Sequence, residues 1–325
     1  MIEITGLTKR YGDIEAVKGI SFTVNDGEIL GFLGPNGAGK STTLNIMTGC
    51  LSATDGSVKI DGCDILEDPI EAKKKIGFLP EQPPLYGDMT VNEYLSFVYE
   101  LKKCKLPKKQ HIKEICDLVK LNDVFNRLIR NLSKGYRQRV GIAQALIGNP
   151  KAIVLDEPTV GLDPRQIIEI RNLIKMLGRD HTVIISTHIL PEVQAVCDRV
   201  VVINKGVVVA NEKTEDLTLA VSGARKLEAK IVGPQDEVLK ELKSISGIRS
   251  VEVLGKLDTD SVTYVIESEG GVDIRKPLFF ALSRKGWALI GLEGAELNLE
   301  DIFLRLVDME NERKVGKRTT GRTMK

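Results

Sequence analysis

Within nine consecutive residues, Gly34-Pro35-Asn36-Gly37-Ala38-Gly39-Lys40-Ser41-Thr42, the chain places three glycines, a lysine and two hydroxyls. Those residue types at that spacing suit the holding of phosphate groups. Glycines let the backbone turn with its N–H groups pointing inward, so that they cradle an anion at the positive end of a following helix. Lys40 adds a point charge for the β- and γ-phosphates, and the Ser41 hydroxyl can ligate Mg²⁺. The flanks agree with this reading. Glu28–Leu33 is a short apolar run that reads as a strand, and Thr42–Met47 has helical period. Strand, glycine loop, lysine and helix form the context such a loop requires, whereas a chance glycine-rich turn needs none of it. The sequence therefore predicts that a nucleoside triphosphate binds at Gly34–Thr42.

A second group of residues has the types needed to act on that ligand. Lys151–Leu155 is an apolar strand that ends in two consecutive carboxylates, Asp156 and Glu157, where a turn residue is the usual ending. With this strand expected beside the strand of the phosphate loop, Asp156 can hold Mg²⁺ through its water shell and Glu157 can polarise an attacking water. Thr182–Thr187 is a buried strand ending at His188, a position where α/β folds place groups that contact ligands. The other two histidines, His111 in a charged helix and His181 in a turn beside Asp180, read as surface residues. Ser133 opens a helix through Ile147, either as a plain N-cap with a solvated basic face or, with the Gly135 amide, as a second anion site. Gln82 stands on a proline-bounded loop just beyond the strand Ile76–Leu79. Tyr11 reads as a turn residue or as an aromatic face for adenine.

The elements that must position these groups follow from period and punctuation. Residues 2–5 and 20–24 alternate as half-buried antiparallel strands, and 51–65 form a hairpin turning at Asp61-Gly62. Helical period at 90–103 and 108–120, with a shorter turn at 123–130, marks a helical insertion between two halves of the nucleotide fold. Pro164 suits the first turn of a helix over 165–178, after the tight turn Gly161-Leu162-Asp163. Residues 191–197 read as helix, followed by strands Arg199–Asn204 and Gly206–Asn211. From 225 the pattern becomes β-α-β-β-α-β, a small split-βαβ sandwich, followed by a helix over Leu299–Met309. The tail 311–325 is basic and poor in apolar residues, so it is expected to be disordered, with weak attraction to anionic lipid as a minor alternative.

Composition sets the outer limits. The 325 residues suffice for two domains, and 42% hydrophobic with 28% charged residues is a globular balance. A net charge of +1 offers no global field for nucleic acid. Five scattered cysteines without a C-x-x-C pair exclude the usual zinc spacings and fit reduced thiols in a cytosolic protein. No signal peptide opens the chain and no apolar run of membrane-spanning length occurs, so any spanning is expected to fall to another chain.

Taken together, residues 1 to about 215 resemble the ATP-binding subunit of an ABC transporter. The resemblance implies an α/β fold, a P-loop NTPase domain of ABC type over 1–215. Its parts would be an antiparallel β subdomain, a parallel-sheet core and a helical subdomain at about 85–150. An α+β, ferredoxin-like accessory domain would follow at 225–310. Tyr11 fits the adenine-stacking aromatic and Gly34–Thr42 the Walker A loop. Gln82 fits the glutamine loop that watches Mg²⁺ and contacts the membrane subunit. Asp156 and Glu157 fit the Walker B aspartate and the catalytic glutamate. Asp163 fits the loop facing a second subunit, and His188 the switch histidine. The signature departs from the common Leu-Ser-Gly-Gly-Gln, reading Leu132-Ser133-Lys134-Gly135-Tyr136, with the serine and second glycine kept. That form resembles an exporter branch related to drug-, sodium- and gliding-motility-associated transporters.

The resemblance implies ATP and Mg²⁺ as cofactors and two copies sandwiching ATP head to tail. It also implies a separate integral membrane permease as partner, and a peripheral place on the cytoplasmic face of the membrane. An ATPase of translation is disfavoured by the single phosphate loop. One of DNA repair or chromosome structure would need a long coiled coil between Ser41 and Ser133, and no sustained heptads occur there. Glu157 and His188 together disfavour a non-catalytic regulator.

Overall fold

The computed structural model describes residues 1–215, 226–255, 261–268 and 272–294. The chain divides into two compact units at Thr214/Glu215. In the first, β1 (Ile2–Tyr11) pairs antiparallel with β2 (Ile14–Val24), and the hairpin turns at Gly12 with φ 59°. Both strands run well beyond the alternating stretches 2–5 and 20–24, because the ladder continues through register shifts that break the period-two pattern. The phosphate-loop strand is β3 (Ile29–Leu33), buried at all five positions, as an apolar run without alternation requires when both faces are covered. β4 (Asp55–Ile60) and β5 (Cys63–Asp64) join across Asp61 (φ 47°) and Gly62 (φ 78°), two left-handed residues in a tight hairpin. This completes a four-stranded antiparallel sheet in the order β2-β1-β4-β5.

The helix after the phosphate loop, α1 (Lys40–Met47), buries Leu44, Ile46 and Met47 in a cluster that includes Ile4 and Phe22 of the antiparallel sheet and Phe32, Val154 and Ile184 of the second sheet. Phe22 stacks on Phe32 with ring centroids 5.5 Å apart. The loop is thus mounted on a strand and a helix that both sit in the core. A short helix, α2 (Pro69–Lys74), has no counterpart in the sequence reading. It buries only Ala72 and is too brief to show a period.

The second sheet has the order β10-β9-β3-β8-β7-β6, formed by β6 (Ile76–Leu79), β7 (Ala152–Asp156), β8 (Thr182–Thr187), β9 (Arg199–Asn204) and β10 (Val207–Lys213). The strand carrying Asp156 therefore does not lie beside the phosphate-loop strand, as the sequence reading expected. β8 separates them, pairing in parallel with β3 on one side and β7 on the other. The parallel strands still end at one edge, so their C-terminal residues converge there.

Between β6 and β7 stand α3 (Val91–Leu101), α4 (Lys108–Val119) and α5 (Lys134–Leu146). α3 begins with a full capping box between Thr90 and Glu93. Lys102 closes the far end of α5, donating to the carbonyls of Gln144 (3.2 Å), Ala145 (3.3 Å) and Ile147 (2.8 Å), while burial pulls its ammonium down to about 8. His111 and His181 are corrections to the sequence reading, since both are buried. α4 is amphipathic and turns His111 inward beside Ile112 and Ile115, where its Nε2 accepts the Gly148 N–H at 3.0 Å. His181 Nδ1 lies 2.7 Å from the Pro150 carbonyl. After β7 come α6 (Pro164–Leu177) and, beyond β8, α7 (Leu190–Val196).

In the second unit, β11 (Lys226–Val232), α8 (Gln235–Ser244), β12 (Ile248–Gly255), β13 (Val262–Ser268), α9 (Arg275–Arg284) and β14 (Ala288–Gly294) follow in chain order. The sheet order β12-β13-β11-β14 is antiparallel throughout, the arrangement that two interleaved split βαβ crossovers generate. Ile231, Tyr264 and Ile266 meet Leu242, Leu278 and Leu282 in a core of its own. The helix expected at Leu299–Met309 and the tail 311–325 lie outside the described residues.

Candidate active site

Asn36, Gly37, Gly39, Lys40, Ser41 and Thr42 line one wall of a cavity of about 440 Å³. Glu157 and His188 stand on it as well, together with Ala16, Glu81 and Val160. Six of these residues belong to the loop between β3 and α1 or to the first turn of α1. Gly39 takes φ 105°, a left-handed turn that only glycine adopts without strain, and it opens α1 without a side-chain cap. That leaves the first amides of the helix free to face a ligand. Gly34 and Ala38 do a different job, packing the loop against β9. A Cβ on Gly34 would lie 2.3 Å from the Ile203 carbonyl oxygen and 3.3 Å from the Ala38 Cβ. Gly34→Ala is therefore expected to cost about 1–3 kcal/mol by overpacking. Thermal unfolding should show a drop of several degrees together with weakened nucleotide binding.

Lys40 is buried and folds back on its own loop, donating to the Gly34 carbonyl at 2.7 Å and the Pro35 carbonyl at 3.2 Å. Burial pushes its ammonium below the usual lysine range, and the Glu157 and Asp156 carboxylates beside it pull the other way. The Glu157 carboxylate is 3.7 Å from Lys40 Nζ and 2.9 Å from His188 Nδ1. Asp156 is also buried, and its Oδ1 has no hydrogen-bond partner among the described residues. A buried carboxylate oxygen left unpaired beside a phosphate cradle, with the Ser41 hydroxyl on the same cavity, fits a hydrated divalent cation. No cluster of three or more acidic, histidine or cysteine side chains suited to a metal occurs among the described residues, and such a cation would complete its shell with water and phosphate oxygens.

The structure brings together Asn36, Gly37, Gly39, Lys40, Ser41, Thr42, Glu157 and His188, with Asp156 directly before Glu157. It does not bring Tyr11, Gln82, Ser133, Gly135 or Asp163 to this wall. Tyr11 is half-exposed at the end of β1 with the Lys9 ammonium 5.3 Å from its ring centroid. At the loop after β6 the cavity is lined by the neighbour of the residue expected there. Both Glu81 and Gln82 are exposed, and of the two only Glu81 lines the cavity. Pro80 directs the chain off the strand, and the first residue beyond it faces the site. That position, rather than the amide type, was the available signal.

Ser133 caps α5, its hydroxyl accepting the Tyr136 N–H at 3.4 Å, and it is exposed. The variant signature residues are anchored within the subunit. The Tyr136 hydroxyl donates to Asp123 at 2.5 Å, and the Lys134 side chain lies over Gly161, where a Cβ would meet Nζ at 2.2 Å. Gly135 packs against α6, since a Cβ there would lie 2.4 Å from Gln166 Oε1. Asp163 caps α6, accepting the Gln166 N–H at 2.9 Å.

Residues 17–160 match the family model described as ABC transporter. The chain is 31% identical to the linearmycin resistance ATP-binding protein LnrL of Bacillus subtilis, covering 94% of this chain and 98% of that one. It is 32% identical to the Nod factor export ATP-binding protein I of Burkholderia orbicola, covering 95% and 97%. Among solved structures it is similar to the dimeric, post-hydrolysis state of the ATP-binding cassette MJ0796 bound to ADP and Pi. There the TM-score is 0.60 at 30% identity, over 66% of this chain and 99% of the cassette.

Proposed function

This chain belongs to the ABC transporter ATP-binding family, and from that premise we propose that it is the energy-coupling ATPase subunit of an exporter, acting as two copies beside a separate membrane permease. The observation that carries the reading is Glu157, whose carboxylate stands between Lys40 and His188 on the wall of the cavity lined by the Gly34–Thr42 loop.

The loop amides and Lys40 hold the phosphates of ATP, and Glu157 accepts the proton of a water that attacks the γ-phosphorus. ADP and phosphate result. His188, hydrogen-bonded to Glu157, fixes the carboxylate's direction. Ser41 and Asp156 would hold Mg²⁺, with Glu81 in place of Gln82 reaching its water shell. The ion would offset negative charge on the phosphates. Tyr11 is assigned to the adenine.

Ser133 is exposed at the N-terminus of α5 and off the wall of its own cavity, and this accessibility supports its use, with the neighbouring Gly135 amide, toward the nucleotide of a second copy. Closure of two copies would then add phosphate contacts that only ATP supplies, so ATP and ADP favour different states. That difference is what would move a permease. No described helix is long and apolar enough to cross a membrane. The proposal therefore gives the spanning to the partner and places this chain on the cytoplasmic face through it. The second unit is proposed as an accessory domain. An export role rests on the branch of relatives, one of which carries export in its name.

Ser133→Ala tests the cross-copy assignment. It is expected to cut steady-state hydrolysis by about 100-fold, the scale of losing one transition-state donor, while monomer binding of ATP stays unchanged. Loss of monomer binding, or normal turnover, would overturn it. Co-purification of a membrane protein with the wild-type chain tests the permease.

A further inference from the structure

Glu192 is a buried carboxylate that the scheme above does not use. It is 6% exposed, sits in the first turn of α7 and makes no ion pair among the described residues. A buried charge of this kind persists only where hydrogen bonds replace its water. Two hydroxyls do so: Thr159 Oγ1 donates to Oε1 at 2.5 Å, and Thr187 Oγ1 donates to Oε2 at 2.9 Å. The first is as short as a charge-assisted bond and the second is an ordinary hydroxyl bond.

The two threonines belong to different loops. Thr159 is two residues after Glu157, on the loop leaving β7, and Thr187 directly precedes His188 at the end of β8. One carboxylate therefore ties together the loops that carry the two members of the Glu157–His188 pair. Thr187 Oγ1 also accepts the Ile189 N–H at 3.1 Å, which extends the tie past the histidine.

The backbone at Glu157 shows why a tie is needed. Glu157 takes φ 48°, a left-handed conformation costing a non-glycine residue about 1–2 kcal/mol. Such a residue stays in place only where its surroundings over-determine it. The bond from its N–H to the Ser186 carbonyl at 2.9 Å holds one side, and the Thr159–Glu192 bond holds the loop on the other.

We propose that Glu192 is a positioning residue for hydrolysis, setting the register of Glu157 against His188 by clamping Thr159 and Thr187. The proposal rests on the reading of Glu157 and His188 as the hydrolytic pair. Glu192→Leu removes both acceptors and is expected to lower kcat by about 10- to 100-fold, the effect of a misplacement near 1 Å, with ATP affinity unchanged. Glu192→Gln retains an acceptor for one hydroxyl and a donor for the other, so it should restore turnover to within about threefold of wild type. Thr159→Val, a milder change that keeps the fold, should show part of the loss.

A residue acting through the pair does not add to the pair's own loss. Glu192→Leu in a His188→Ala background should therefore cost less than about threefold beyond His188→Ala alone. Full additivity there, normal kcat in Glu192→Leu, or a joint loss of nucleotide affinity and thermal stability that Glu192→Gln does not repair would each overturn the proposal. If His188→Ala itself turned over normally, the hydrolytic pair would fall instead, and the two failures are distinguishable.

Discussion

Replacing Glu157 by glutamine is expected to lower ATP turnover by about 10²- to 10³-fold while nucleotide binding persists. The amide has the same size, and its oxygen can still face His188 Nδ1, now 2.9 Å from the carboxylate. It cannot take a proton from water, and general-base assistance is worth roughly that range. The substitution also removes a negative charge beside Lys40 and the place of the γ-phosphate. ATP should then bind at least as tightly, and ATP-bound pairs should accumulate because closure is no longer released. Phosphate release measures the first effect. Size-exclusion chromatography with ATP against ADP measures the second. Turnover within about threefold of wild type would remove Glu157 from the role assigned to it.

Lys40→Ala should act at the step before. Its ammonium holds the Gly34 and Pro35 carbonyls and stands beside two acidic groups, so removing it loosens the loop and leaves those carboxylates without their cation. Charge-assisted hydrogen bonds contribute about 1.5–3 kcal/mol each, so nucleotide affinity should fall by about 100-fold or more. Titration calorimetry on the folded variant checks this, with circular dichroism confirming that the fold survives. The same lysine makes a pH prediction for the wild type. Burial lowers its proton affinity, and binding needs the charged form, so affinity should decline as pH rises and do so below the range of an exposed lysine. An affinity that stays flat through that range, or a Lys40→Ala variant that binds ATP normally, would contradict the role given to Lys40.

Much of the site was legible because its parts are contiguous. Gly34–Thr42 carries its conformation in its own glycines, and Asp156-Glu157 announces itself as two acids ending an apolar run. Pro164 suits the first turn of α6 and Ser133 the N-cap of α5, both signals carried within three residues. The split βαβ pattern of the second unit was readable for a similar reason, since alternation and helical period are local properties.

What failed was of another kind. Glu81 and Gln82 are neighbours of similar size, and only the path of the chain after Pro80 decides which one meets the cavity. His111 and His181 looked exposed among charged neighbours, yet both are buried by elements distant in sequence, Gly148 and Pro150 lying opposite them. α2 was too short to show a period.

By itself the sequence determined the phosphate loop and the strand endings that hold the candidate residues, because loop conformation, caps and strand character depend on a few adjacent residues. Tertiary structure alone decided how those pieces lie against one another. It put β8 between the phosphate-loop strand and the strand of Asp156, and it put Glu192 behind the Glu157–His188 pair. Strand order and the convergence of Thr159 and Thr187 on Glu192 depend on crossovers through α6 and the packing of α7, and no spacing along the chain records where a crossover lands.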